Sequence, residues 1–195
     1  MNTKDRIYSA AMEMFGRYGY QGVKIDALVK KAKVNKTTFY YYFESKHEIF
    51  EMIMRDRLTD FKNKLTDRLS VCVNDEETAD AMIDIMFSRD LQEVQLFSRE
   101  ILEGGENLSD ELFSMMFEIV DIQAAALAKG SLTDHSFLLY MLIGVSDFYL
   151  SLGTFKQTWD KKNTGRHTSL VVNFDETHLR NKLKTVIMNE LTRRG

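Results

Sequence analysis

Apolar residues recur every three or four positions along most of the chain, the spacing that gathers them on one face of an α-helix. Ile7, Ala11, Met14, Phe15 and Tyr18 predict a first helix from about Thr3 to Tyr18, and Gly19 can take the left-handed conformation that ends it. Ile25, Leu28, Val29 and Ala32 predict a short second helix over 25–31, with Asp26 near its favourable positive end. After a turn through Lys33 and Val34, Asn35 is a good N-cap for a third short helix, Lys36 to Tyr42. In that helix Phe39 and Phe43 lie four apart and turn inward. Ser45 and Glu48 have the spacing of a capping box. Beyond them Phe50, Met54, Leu58, Phe61, Leu65 and Leu69 predict one long helix.

The same periodicity predicts helices near 76–87, 89–103, 110–129, 134–153 and 176–193, punctuated by Gly104-Gly105, Ser109, Gly130 and Thr133. The polar segment from Gly153 to Asn173 departs from it and leaves two readings open, a short helix or a mobile connection. No proline occurs anywhere, so the commonest helix breaker is missing. The helix over 134–153 is apolar on almost every side and the one over 110–129 on two, including Phe113, Met115, Met116, Phe117 and Ile119. Both need cover, and a body of this size can enclose one of them, which predicts a second protomer over the other.

Composition narrows the class. Hydrophobic residues make up 44% and charged residues 28%, the balance of a globular chain rather than a disordered or membrane one. The longest apolar stretch, Phe137 to Leu152, is shorter than the roughly 20 residues of a membrane span and contains Ser146 and Asp147. The N-terminus shows no secretion signal, which leads us to expect a cytoplasmic protein. Cys72 stands alone, which removes internal disulfides and thiolate metal clusters. His47, His135, His167 and His178 form no pair at metal-ligand spacing, and no glycine-rich phosphate loop or nucleophile motif is present. Asp134-His135-Ser136 holds the residue types of a catalytic triad, but neighbours on a helix point in different directions. We therefore expect no enzyme, no metal and no cofactor.

The net charge of -3 hides an asymmetry. Residues 1–47 hold nine Lys or Arg against four acids, a balance of +5, so the remainder sums to -8. A basic head on an acidic body directs a polyanion to one end of the chain. That head also carries a short helix, a tight turn and a short helix between Ile25 and Phe43, the form of a helix-turn-helix whose second helix enters the major groove of DNA. With Phe39 and Phe43 inward, Lys36, Thr37, Tyr40 and Tyr41 are left facing outward. Lys can donate to guanine, the Thr methyl can touch thymine, and Tyr can stack on sugars or donate to phosphate.

Over about its first 55 residues the chain resembles the tetracycline-repressor (TetR) family of bacterial regulators. The resemblance lies in Ala10-Ala11-Met12-Glu13-Met14-Phe15, Gly19-Tyr20, Ile25-Asp26-Ala27-Leu28, the run from Val34 to Phe43, and Ser45-Lys46. It implies that Lys36, Thr37, Tyr40 and Tyr41 face the bases or their surroundings, and that Thr38, Tyr42 and Lys46 hold phosphates. Lys46 would be helped by the backbone N–H groups that open the fourth helix. Two positions depart from the family's pattern: Thr37 replaces a frequent Gly or Ala, and Lys24 stands where Thr or Ser commonly caps the second helix. The cap is then expected to be lost while a long cation becomes available to phosphate. Asn35, at the head of the third helix, completes the expected DNA-binding set.

The resemblance further implies an all-α fold of about nine helices. A three-helix DNA-binding head (1–47) would sit on a helical-bundle body (48–195) that binds ligand and dimerises. The last two helices would form a four-helix interface with their mates, here through Tyr149, Leu152, Leu179, Leu183, Val186 and Ile187. A pocket in the body would take a small apolar or amphipathic effector and move the fourth helix; Phe113, Met116, Phe117, Tyr140 and Phe148 are candidate lining, and are equally readable as packing. Asp147, inside an apolar helix, needs a partner, either across the dimer or on a cationic ligand. The expected function is a ligand-responsive regulator, a repressor, that binds a palindromic double-stranded DNA operator as a homodimer and has no membrane partner. The alternative is a chromosome-organising or partner-controlled DNA-binding protein without a small-molecule effector.

Overall fold

The computed structural model describes residues 2–127, 135–162 and 175–192, with nine α-helices and no strand among them. In chain order these are α1 (Thr3–Gly22), α2 (Ile25–Ala32), α3 (Lys36–Tyr42), α4 (Lys46–Ser70), α5 (Asp75–Phe87), α6 (Leu91–Leu102), α7 (Asp110–Leu127), α8 (His135–Lys162) and α9 (Glu176–Thr192). None of the described helices is long and apolar enough to cross a membrane.

The helix ends follow local chemistry. Asn2 and Asp5 close a capping box at the start of α1. Gly19 breaks α1 as expected, at φ +70°, but one further turn follows to Gly22. The α2 helix ends in a Schellman motif: the Lys33 N–H reaches the Lys30 carbonyl at 3.2 Å and the Val34 N–H the Val29 carbonyl at 3.0 Å. The left-handed residue there is Lys33 (φ 55°, ψ 47°), where glycine would be unstrained. Asn35 caps α3 by accepting from the Thr38 N–H at 2.7 Å. Ser45 Oγ accepts from the Glu48 N–H at 3.0 Å, while the Glu48 carboxylate reaches back past Ser45 to the N–H of Glu44. Asn74 and Asp90 cap α5 and α6 in the same way.

The α8 helix corrects one expectation. It runs on to Lys162, through the first ten residues of the polar segment from Gly153; apart from that glycine these residues all accept a helix, and no proline stops it. The rest of the segment, 163–174, lies outside the described residues.

Packing divides the chain into two compact units. The first comprises residues 1–61 and 90–118. Ile7, Ala11 and Phe15 of α1, Leu28 of α2, Phe39 of α3 and Ile49, Phe50, Ile53 and Met54 of α4 are fully buried there. The Phe50 ring meets Phe15 edge-on at 5.2 Å and Tyr20 at 4.9 Å. The α1 and α6 helices approach to backbone contact: a side chain at Gly16 would place its Cβ 3.0 Å from the Gln92 carbonyl oxygen. Arg99 of α6 donates to the carbonyls of Gly16 (3.1 Å) and Arg17 (2.9 Å), and Gln21 donates to Asn107 at 3.2 Å. Glu100 is 2% exposed, accepts from Asn107 at 3.2 Å, and has its carboxyl pushed above the ordinary value by burial.

The second unit comprises 62–89 and 119–195. Its described core includes Leu65, Ala79, Met82, Met86, Leu142 and Ile187. Asp147 finds a partner within the chain: Arg89 pairs with it and also donates to Ser146 Oγ at 2.8 Å and to the Met86 carbonyl at 3.0 Å. On the surface Lys184 of α9 binds Glu76 and Asp80 of α5, each at 2.8 Å, and Arg180 binds Asp84 at 2.7 Å.

Candidate nucleic-acid interface

Three short segments build the interface. The α2 and α3 helices are fixed by Leu28, Val29 and Ala32 on one side of the turn and Phe39 and Phe43 on the other, all buried. Phe39 and Phe43 lie 5.8 Å apart, ring to ring, so the inner face of α3 is anchored at its middle and at its C-cap. What remains is an outer face carrying Lys36, Thr37, Tyr40 and Tyr41, all exposed. Tyr41 is 80% exposed and Tyr40 52%, although aromatic side chains are ordinarily drawn inward. Tyr42 is half-buried and packs edge-on against the Tyr41 ring at 4.9 Å. Thr38 is also half-buried, with its backbone N–H held by the Asn35 cap.

Cations surround this face in different states. Lys24 is exposed at the N-cap of α2 and forms no side-chain cap there. Lys36 lies 2.7 Å from Asp26, and that carboxylate raises its pKa, first by hydrogen bonding and then by charge. Lys31 is held by Glu13 at 2.7 Å. Lys4 sits 5.8 Å from the centre of the Phe43 ring, at the far end of α3. Lys46, expected on a phosphate, points instead into the first unit. It donates to the carbonyls of Tyr20 (2.9 Å) and Val23 (3.2 Å) and lies 3.9 Å above the Tyr20 ring, and burial lowers its pKa. Both carbonyls lie where α1 ends; that of Tyr20 also accepts from the Val23 N–H at 3.3 Å, and the ammonium bridges the two.

The pairing of Asp26 with Lys36 was not legible in the sequence. Asp26 has an adequate role there as an acid in the first turn of α2, and ten residues separate it from the lysine. Only the angle between α2 and α3 brings the two N-terminal ends together.

The other candidate residues are distributed differently. Phe113 and Met116 are half-buried in the first unit, whereas Phe117 beside them is 65% exposed. Tyr140 and Phe148 are 72% and 58% exposed on α8 in the second unit, so neither lines an enclosed cavity of the single chain. Leu183 and Ile187 are buried on the face of α9 that packs against α5, so this chain already covers them. Tyr149, Leu152 and Leu179 are half-buried, and Tyr149 donates to Glu176 at 3.2 Å; Val186 is exposed.

Residues 7–53 match the family described as bacterial regulatory proteins, tetR family. The HTH-type transcriptional regulator RutR of Escherichia coli K12 is 28% identical over 156 residues, 75% of this chain and 73% of that protein. The HTH-type transcriptional repressor SCO4008 of Streptomyces coelicolor is 36% identical over 58 residues, 30% of each chain. Among solved structures, the transcriptional regulator FadR of Bacillus subtilis, in complex with stearoyl-CoA, superposes with a TM-score of 0.59 at 19% identity, over 94% of this chain and 96% of that one. The helix-turn-helix with this core and this exposed recognition face falls within the residues that match that family: over 7–53 the chain resembles the DNA-binding part of the tetR-family regulators, and over three quarters of its length it is similar to one transcriptional regulator.

Proposed function

We propose that the chain is a repressor that binds a palindromic operator as a homodimer and releases it when a small apolar or amphipathic molecule occupies the body. The observation that carries the DNA-binding half is the outer face of α3: two tyrosines more than half exposed, with Lys36 and Thr37, on a helix whose opposite side is anchored by Phe39 and Phe43. Lys36, Thr37, Tyr40 and Tyr41 read the bases or their surroundings. Lys24, Asn35, Thr38, Tyr42 and Lys46 act at the sugar-phosphate backbone, Lys46 while held on the Tyr20 and Val23 carbonyls. The functional head is residues 1–47 and the sensing and dimerising body 48–195.

Tyr140, Gly144 and Phe148 recur along one exposed face of α8, the spacing of a helix seam, and Val186 is exposed on α9. Such a face suits a second copy of the chain, and a two-fold dimer would present two recognition helices to successive major grooves about 34–36 Å apart. The repressor SCO4008 and the stearoyl-CoA complex of FadR support the direction of control and the class of effector. Phe113 and Met116, half-buried in the first unit, and Phe117 beside them are the residues we propose to meet it.

The test is a titration of the purified protein against DNA upstream of its own gene and against random DNA, at two salt concentrations. Tight, sequence-selective, salt-sensitive binding that acyl-CoA relieves is the expected result. Selective binding at many genomic sites with no response to acyl-CoA or other amphiphiles would point to the chromosome-organising role.

A further inference from the structure

Resting on the reading of α3 as the helix that enters the groove, we propose that Asp26 sets sequence selectivity. It holds the Lys36 ammonium as an oriented donor and denies it to phosphates at random. Lys36 Nζ lies 2.7 Å from Asp26 Oδ1, and both side chains are open to solvent, at 58% and 74% exposure. Both ends of the pair are rigidly framed. Lys36 is the first residue of α3, behind the Asn35 cap, and Asp26 lies in the first turn of α2. Exposed as it is, the Asp26 side chain fills no place in the core.

An ammonium has three N–H groups, and one given to Asp26 leaves two. A neutral acceptor on a base edge, such as guanine O6 or N7, can take one of these while the pair persists. A phosphate is different: approaching Lys36, it also approaches the Asp26 carboxylate and is repelled by it. Binding to random DNA comes almost wholly from phosphate contacts. The Asp26 charge therefore weakens random binding more than it weakens binding at a preferred site, and it turns a flexible lysine into a directional contact. Glu13 restrains Lys31 at the same distance, but that lysine lies on α2, away from the bases.

The experiment uses the full chain in four forms: unaltered, Asp26→Asn, Lys36→Ala and the double variant. Each is titrated over a range of salt against short duplexes of random sequence and against a duplex enriched from that pool on the unaltered protein. Asp26→Asn should bind random duplexes about tenfold tighter, with the slope of log K against log salt steeper by about one, and should change binding of the enriched duplex by less than about threefold. In the Lys36→Ala background the gain on random DNA should largely vanish. Unchanged random affinity and slope would overturn the inference, as would an equal gain without Lys36, which would make Asp26 a bulk charge only. If Lys36→Ala itself matched the unaltered protein on both duplexes, the α3 reading would fall, and the inference with it. Circular dichroism should show the same helix content in all four forms, because neither side chain is buried.

Discussion

Single side chains in the first unit carry energetic tension that the rest of the unit absorbs. Glu100 is the plainest case, a carboxyl with 2% exposure and one hydrogen bond from Asn107. Burial raises its folded-state pKa above the ordinary 4.5, so its favourable contribution is present below that value and is lost as pH rises through the folded one. Near neutrality the buried charge is a cost. Glu100→Gln keeps an acceptor for Asn107 and removes the charge, and should stabilise the protein by on the order of 1 kcal/mol at pH 7. Melting curves should show the gap between variant and parent closing as pH falls towards 4.5. Lys46 carries the opposite sign: its ammonium is also partly desolvated, but two carbonyls and the Tyr20 ring compensate it.

At the scale of elements, helix ends decide most boundaries, and one end is unfinished. Lys24 holds the N-cap of α2 with an extended backbone and no side-chain acceptor. Lys24→Ser supplies that acceptor and should add about 1 kcal/mol, seen as a rise in melting temperature of about 2–4 °C. The lost cap was legible in the sequence because capping depends on residue type at one position. The limits of α3 were legible for the same reason: Asn35 opens it, and Phe39 and Phe43 fix its inner face. What escaped were features that depend on how elements meet. The polar residues after Gly153 read as a connection because their periodicity is weak, yet nothing in them forbids a helix and α8 simply continues. Asp147 was legible as a group needing a partner, but Arg89 lies 58 residues away and only packing identifies it. Lys46 read as a surface cation because the two carbonyls that claim it belong to the end of α1 and the linker after it.

For the whole molecule, assembly is the property with the clearest lever. Phe148, 58% exposed on the face of α8 that we propose to meet a second copy, has no core role to lose. On the proposed dimer, Phe148→Glu should leave a monomer with helix content unchanged, and affinity for the proposed operator should fall by at least tenfold as the paired heads come apart. Sedimentation would measure the first effect and titration the second; a variant that sediments like the parent would move the interface elsewhere. Gly16 bears on a different question, that of transplanting the DNA reader. Its backbone lies against the Gln92 carbonyl, and Arg99, 83 residues along, seals the α1 carbonyls beside it, so α1 is finished by α6 in a chain that returns to it. A cassette of residues 1–47 grafted onto a foreign sensor would arrive with one side of α1 stripped. A chimera that reads DNA would need to carry 90–118 along with it, and so would inherit part of its parent's wiring.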